Sequence, residues 1–243
     1  MTMLVMGAVC IGFASVIGGA TGFGAALMAT PAMLMVGFDV PEVVFVNLVA
    51  GLVTRLNMAY QLRNQINWRR VALLGGGSLP GAWLGAVTLN MLPEQYLKPA
   101  AGALVMLCGI AMTLPVRTTT PRNPPAAAQA LTGVVGGYLA TTTSLNGPPP
   151  VLLLMRARVP PLSFIADLAG YFIAANITAV GILWIRDEIT ESMIWPRLPI
   201  FVVAAVVGNL VGLSIARRLP AEVFRTAVIV LVIAAGAVTL AAG

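Results

Sequence analysis

The sequence predicts an all-α integral membrane protein with two inverted-topology repeats, each a broken helical hairpin plus three transmembrane helices. Three observations predict this fold class: an apolar composition, an internal duplication, and a reversal of loop charge between the halves. Of the 243 residues, 59% are hydrophobic and 9% are charged, whereas soluble domains carry about 25% charged residues. At roughly 20 apolar residues per helical crossing, the chain can supply about seven to ten crossings and little else.

The two halves match in their glycine, proline, asparagine and tryptophan positions. The matched pairs include Pro31 with Pro150, Gly51 with Gly170, Asn57 with Asn176, Trp68 with Trp195, and Gly81 with Gly208. A short insertion around "WIRDEITES" shifts the alignment of the later pairs. The duplication predicts a first transmembrane repeat over residues 1–114, a linker over 115–125 and a second repeat over 126–243.

Each half contains one long broken apolar segment followed by three ordinary ones. The predicted segments are Met3–Val36, Val43–Leu62, Val71–Leu89 and Leu97–Leu114, then Ala126–Met155, Leu162–Ile185, Leu198–Ile215 and Val223–Leu240. As a single helix, the first segment would be about 50 Å long, whereas the hydrocarbon core is about 30 Å thick. Each broken segment is therefore predicted to be a hairpin, either re-entrant or made of two short tilted helices.

Loop charge predicts opposite orientations for the two repeats. The loop "QLRNQINWRR" is basic and therefore predicted to be cytoplasmic, whereas its repeat partner "IRDEITESMIWPR" is net acidic and predicted to face outward. The linker and "MRARVPP" are both basic, so the broken segment between them enters and leaves on the cytoplasmic side. We expect a multi-pass protein of the inner (plasma) membrane. The basic residues lie singly or in pairs, which argues against nucleic-acid binding.

Several kinds of chemistry are disfavoured by the composition. The sequence contains no histidine, which removes histidine-based triads and histidine-ligated metals. Cys10 and Cys108 lie alone within apolar runs, so neither a disulfide framework nor a metal site is expected. We predict no catalytic residues, no metal and no cofactor.

The broken segments predict an anion-binding cavity. Irregular backbone survives at membrane depth only against protein or a water-filled cavity. The second helix of each hairpin is predicted to begin near Gly24 and near Gly147, and helix N-termini attract anions. The predicted substrate-binding residues at the two breaks are Thr21, Gly22, Gly24, Thr141, Thr142, Thr143, Ser144 and Asn146. Alternatively, the glycines serve only close helix packing.

Four polar residues lie deep in the ordinary segments and are further candidates. Arg55 is predicted to contact substrate, or alternatively to extend to the cytoplasmic interface. Asp167 is predicted to be a proton-coupling carboxylate, or alternatively to pair with the nearby stretch "MRARVPP" or with a loop arginine. Asn57 and Asn176 are predicted to bind substrate because the same amide recurs at one helical position in both halves.

The sequence resembles the TauE/SafE family, the sulfite exporter or TSUP family of membrane permeases. The resemblance is carried by "GGATGFGAALMATPAMLMVGFDVPEVVFVNL", "RNQINWRRVALLGGGSLPGAWLGAVTLNMLP", "LNGPPPVLLLM" and "VVGNLVGLSIARRLP", which span nearly the whole chain. It implies secondary transport of a small sulfur-containing anion such as sulfite or a sulfonate. The second-half run "TTTSLNGPPP" departs from the glycine-rich form of the first half.

The sequence therefore predicts a transporter that holds a small organosulfur or sulfur oxyanion between opposed hairpin tips and works by alternating access. A passive anion channel and, less favoured, a membrane-embedded enzyme are the alternatives. The expected partners are the anion and membrane lipid, and a homo-oligomer is left open.

Overall fold

The computed structural model describes residues 2–89, 103, 106–114, 122–143, 146–185 and 195–241. Within these residues every regular element is helical, which confirms the predicted all-α class. The longer helices are α1 (Thr2–Thr21), α2 (Ala25–Val36), α3 (Val40–Gln61), α4 (Trp68–Leu89), α5 (Ala126–Thr143), α6 (Pro148–Arg156), α7 (Pro161–Ile185), α8 (Arg197–Ala216) and α9 (Ala221–Ala241). Residues 106–113 are also helical, whereas most of the remainder of the predicted segment Leu97–Leu114 lies outside the described residues.

Several helices have the length and apolarity of membrane spans. Within the described residues, three helical stretches satisfy both criteria: Met3–Thr21, Pro161–Thr178 and Arg197–Ala216. Ala126–Ala140 is a shorter apolar helix. On α1, Val9 and Phe13 are each 64% exposed and lie one turn apart. Such side chains form an apolar outer surface that a membrane would cover.

The chain divides into two compact units, and each unit draws on both halves of the sequence. Unit 1 contains residues Met1–Ile66 and Phe172–Leu219, and therefore α1 to α3, the second part of α7, and α8. Unit 2 contains Asn67–Tyr171 and Pro220–Gly243, and therefore α4 to α6, the first part of α7, and α9. The repeat boundaries and the inverted topology remain predictions.

In unit 1, α1 and α2 form a hairpin that packs against α8. The α1–α8 contact is backbone to backbone, because a Cβ at Gly212 would collide with the Val16 carbonyl oxygen. The end of α2 lies beside the start of α1. A Cβ at Gly7, near the start of α1, would lie 2.8 Å from the ring of Phe38, which follows α2. With 12 residues, α2 is about 18 Å long, so this arm is shorter than a membrane crossing.

In unit 2, α5 and α6 form the second hairpin, which packs against α4. A Cβ at Gly81 of α4 would collide with the Val134 carbonyl oxygen of α5. The hairpin is closed at its base, where the Arg122 N–H donates to the Ala157 carbonyl at 3.0 Å. The short arm α6 has nine residues and is about 14 Å long.

The two units use duplicated glycines in the same way. Gly81 in α4 allows contact with the hairpin helix α5, and its repeat partner Gly208 in α8 allows contact with the hairpin helix α1. Each hairpin thus packs on a helix from the other half of the sequence. Contact between small residues brings the helix backbones close together, as is common in membranes.

Alanine substitutions at two glycines of α4 test this packing. Replacing an exposed helical glycine with alanine stabilises a helix by about 1 kcal/mol. Gly76→Ala should keep or raise the melting temperature in detergent, because no atom lies within 4 Å of the added Cβ. Gly81→Ala should lower it, because separating the helices costs about 1 to 3 kcal/mol. Equal melting temperatures for the two variants would contradict the close contact.

Candidate functional site

The break between α1 and α2 is built from glycines in the left-handed region. Gly22 has φ +84° and Gly24 has φ +87°, and α2 begins at Ala25, next to the predicted start. Thr21 Oγ1 lies 2.7 Å from the carbonyl oxygens of both Ile17, in α1, and Phe23, within the break, and its one hydroxyl proton is shared between them. The positive φ values explain why these two positions are glycine.

The other two glycines of this stretch serve helix packing. A Cβ at Gly18 would contact Ala25, and a Cβ at Gly19 would collide with the Asn209 carbonyl oxygen. The packing interpretation therefore holds at Gly18 and Gly19, whereas the anion-binding cavity stays a prediction. Gly18 and Gly19 allow close approach, whereas Gly22 and Gly24 turn the chain.

The side chain of Arg55, in α3, contacts the backbone of the break between α1 and α2. Its Nη1 donates to the Gly22 carbonyl oxygen at 2.5 Å, and its guanidinium lies 5.0 Å from the ring centroid of Phe172. The residue is 8% exposed. Arg55 therefore does not extend to the surface, and its charge lies within unit 1 beside irregular backbone.

Two further side chains continue this site. The sulfur of Met58 lies 3.7 Å from Arg55 Nη1 and 3.2 Å from Asn209 Nδ2. Asn209 is 2% exposed, and its Oδ1 has no hydrogen-bond partner among the described residues. We call the set Thr21, Gly22, Gly24, Arg55, Met58, Phe172 and Asn209 the Arg55 site.

Sequence reasoning missed three members of the Arg55 site. An intramembrane asparagine in "VVGNLVG" was a usable signal for Asn209, since deep polar residues are functional candidates. Nothing in the pattern distinguishes Phe172 or Met58 from the other apolar residues of their helices. Their roles depend on contacts between helices.

The Arg55 site has the donors that an oxyanion needs. Among the described residues, the hydrogen bonds of Arg55 involve only Nη1. Nη2 and Nε form an edge that matches two oxygens of an oxyanion. The first N–H groups of α2 have no partner within that helix, and they carry its partial positive charge.

The two duplicated asparagines lie in unit 1 but have other contacts. Asn57 is two residues from Arg55, so it points about 200° away around α3. Its Oδ1 accepts from Gln61 Nε2 at 3.3 Å, whereas its Nδ2 is buried with no partner among the described residues. Asn176 Nδ2 donates to the Leu48 carbonyl at 3.3 Å. No described hydrogen bond joins either amide to Arg55.

The second break, in unit 2, differs chemically from the first. Helix α5 ends at Thr143 and α6 begins at Pro148, next to the predicted start at Gly147. The side chains of Thr141, Thr142 and Thr143, and all of Ser144, lie outside the described residues, whereas Asn146 is partly buried beside Gly147. Prolines 148–150 have no N–H, so the first turn of α6 offers no backbone donors to an anion.

Asp167 lies in a buried polar network of unit 2. The residue is fully buried and forms an ion pair with Arg70. Its Oδ1 also accepts the Asn67 N–H at 2.8 Å, and Arg70 Nη2 donates to Asn123 Oδ1 at 2.5 Å. Asp167 therefore pairs with an arginine, as the alternative prediction allowed, and the structure identifies that arginine as Arg70. The network joins the start of α4 to α7.

Unit 1 also contains an ion pair formed by an arginine at a helix start. Arg197, the repeat partner of Arg70, donates to both carboxylate oxygens of Glu42 at 2.8 Å. This pair joins the start of α8 to the first turn of α3. In each unit an arginine at the start of one helix therefore pairs with a carboxylate from the other half of the sequence.

Comparison with known proteins confirms the resemblance found in the sequence. The family model described as Sulfite exporter TauE/SafE matches residues 7–239, nearly the whole chain. No curated protein and no solved structure matches the chain. The family is one of transporters, and the match together with the apolar helices identifies a multi-pass membrane protein. The chain therefore belongs to the TauE/SafE family of sulfite exporters.

Proposed function

We propose that this protein is a secondary transporter of a small sulfur oxyanion, and that the Arg55 site binds the anion. The observation that carries the proposal is a buried guanidinium beside a broken helix, with the Nη2 and Nε edge unused by the described residues. An uncompensated buried charge is costly, so a bound anion would stabilise the site. Family membership supports a sulfur anion as the substrate class.

The shape and chemistry of sulfite or a sulfonate fit this site. Two oxygens can accept from the Arg55 edge, and a third can face the N-terminus of α2. Phe172 and Met58 provide apolar contact that would suit the carbon substituent of a sulfonate. The Asn209 amide adds one polar group to the site, next to the sulfur of Met58.

Alternating access is the proposed transport mechanism. Two inverted repeats with broken helices are the usual construction of secondary transporters. The duplicated glycine contacts and the matched arginines Arg70 and Arg197, each paired with a carboxylate, support descent from one repeated unit. We place the protein in the inner membrane, with the basic loops cytoplasmic. The arrangement of the substrate between opposed hairpin tips remains a prediction.

Replacing Arg55 with lysine tests the binding site. Lysine keeps the positive charge and one donor for the Gly22 carbonyl, but it loses the planar edge that binds two oxygens. We expect Arg55→Lys to retain folding and to weaken sulfite binding by about tenfold or more. The measurement is the concentration dependence of thermal stabilisation by sulfite, with sulfate, taurine and chloride for comparison.

The matched control is Arg63→Lys. Arg63 is exposed, and its guanidinium carbon lies 5.3 Å from the ring centroid of Tyr60. It should bind sulfite as the unmodified protein does. Radiolabelled sulfite counterflow in vesicles completes the test, because a carrier is trans-stimulated and a passive channel is not. If Arg55→Lys bound sulfite as tightly as the unmodified protein, the anion would bind elsewhere. Sulfite flux without trans-stimulation would favour a passive channel over a carrier.

We also propose that Asp167 carries the coupled proton, despite its ion pair with Arg70. Protonation of Asp167 would release Arg70, which would loosen the start of α4 from α7. Asp167→Asn alone leaves the Arg70 charge buried, and removing one partner of a buried pair costs about 3 to 5 kcal/mol. The double variant Asp167→Leu with Arg70→Met removes both charges and should restore the melting temperature.

The double variant separates coupling from folding. We expect it to exchange sulfite in counterflow at a normal rate but to lose sulfite accumulation driven by a pH gradient. Exposed Glu222→Gln is the control and should leave both activities unchanged. Retained pH-driven accumulation in a folded double variant would mean that the Arg70–Asp167 pair is structural only.

A further inference from the structure

Unit 2 contains a cavity of about 360 Å³ that is separate from the Arg55 site. It lies between the helical residues 106–113, α5 and α6. One end has two arginines, Arg122 and Arg156, at the base of the second hairpin, where Arg122 bonds to Ala157. The walls deeper along the hairpin are apolar and include Cys108, Val135, Pro149 and Leu152.

The arginine end has more positive than negative charge. Arg156 Nη1 donates to the Ala111 carbonyl at 3.2 Å, an uncharged partner. Arg225 is within electrostatic range of Arg156, Arg158 and Glu222. Glu222 is the acidic group in this set, and its side chain is 81% exposed and 3.4 Å from Arg158. The described residues at this end therefore leave the charge of Arg122 and Arg156 without a carboxylate.

Apolar residues on the cavity wall, and others next to it in sequence, are exposed. Val135 on its wall is 40% exposed. Leu107 and Leu131, next in sequence to the wall residues Cys108 and Thr132, are 62% and 64% exposed. In a membrane protein such exposed apolar residues face hydrocarbon, so acyl chains of the bilayer lie beside this part of the cavity wall. An apolar cavity of this size favours an apolar occupant over water.

We propose that this cavity binds an anionic phospholipid, with the phosphate on Arg122 and Arg156 and one acyl chain along Val135, Pro149 and Leu152. Guanidinium groups bind phosphate oxygens with strong, charge-assisted hydrogen bonds. Basic pockets between transmembrane helices on the cytoplasmic side typically bind anionic headgroups. The basic linker and the stretch "MRARVPP" predict that side for this end of the hairpin.

A small soluble anion does not account for the whole cavity. Inorganic phosphate would pair with the arginines but leave the apolar part of the cavity empty. A zwitterionic lipid would fill the apolar part, but its headgroup has no net negative charge to offset the two arginines. An anionic phospholipid satisfies both parts. The bound lipid would connect the residues 106–113 to both arms of the hairpin, so it should also stabilise unit 2.

The test uses the delipidated, full-length protein in detergent with dioleoylphosphatidylglycerol as the probe. Melting temperature is measured against lipid concentration, and bound lipid is counted by native mass spectrometry. The comparison ligands are dioleoylphosphatidylcholine and inorganic phosphate. We expect saturable stabilisation and one retained phosphatidylglycerol, with little response to the other two.

Variants separate the two ends of the site. Arg122→Gln and Arg156→Gln should each raise the lipid concentration needed for half-maximal stabilisation by about fivefold, and the double variant by about 25-fold. Leu152→Trp should reduce binding by filling the cavity while leaving both arginines in place. Arg218→Gln, at an exposed arginine after α8, is the control and should behave as the unmodified protein.

The outcomes are decisive even if one variant folds poorly. Arg122 has an exposed side chain, so Arg122→Gln should fold normally and report on the headgroup by itself. The proposal is overturned if phosphatidylcholine or inorganic phosphate stabilises equally well. It is also overturned if phosphatidylglycerol binding is unchanged in both Arg122→Gln and Leu152→Trp.

Discussion

The structure of unit 1 depends on satisfying the backbone where the first hairpin is broken. An unpaired carbonyl in hydrocarbon costs several kcal/mol, so a break in an apolar segment needs polar partners. The Arg55 guanidinium donates to the Gly22 carbonyl, and the Thr21 hydroxyl donates to the Phe23 carbonyl. Phe172 then covers the guanidinium. The presence of an arginine in an otherwise apolar stretch of α3 therefore follows from the backbone that it faces.

The second organising constraint is the exchange of helices between the sequence halves. In both units a hairpin helix packs through glycine against a long helix from the other half. An arginine at the start of that long helix pairs with a carboxylate of a third helix. Arg197 of α8 pairs in this way with Glu42 of α3. Neither half of the sequence can form these contacts alone.

Sequence reasoning predicted the helices and breaks well because their signals are local. Glycine marks the turn at Gly22 and Gly24, and prolines mark the start of α6, so both helix starts were predicted within a residue or two. The sequence did not identify which residue pairs with each buried charge. Arg55 contacts a carbonyl 33 positions away, and Asp167 contacts an arginine 97 positions away. The role of Asn209 likewise depends on α1 and α3 packing beside α8.

The contacts of Arg55 also suggest how binding and movement can be linked in the proposed transporter. A ligand shifts a conformational equilibrium only by its difference in affinity for the two states. The same guanidinium that would hold the anion also holds the Gly22 carbonyl, so any movement of the first hairpin that displaces Gly22 changes the position of the anion-binding edge. The difference in affinity that alternating access requires can therefore arise at Arg55 itself, without a separate relay between the anion and the hairpin.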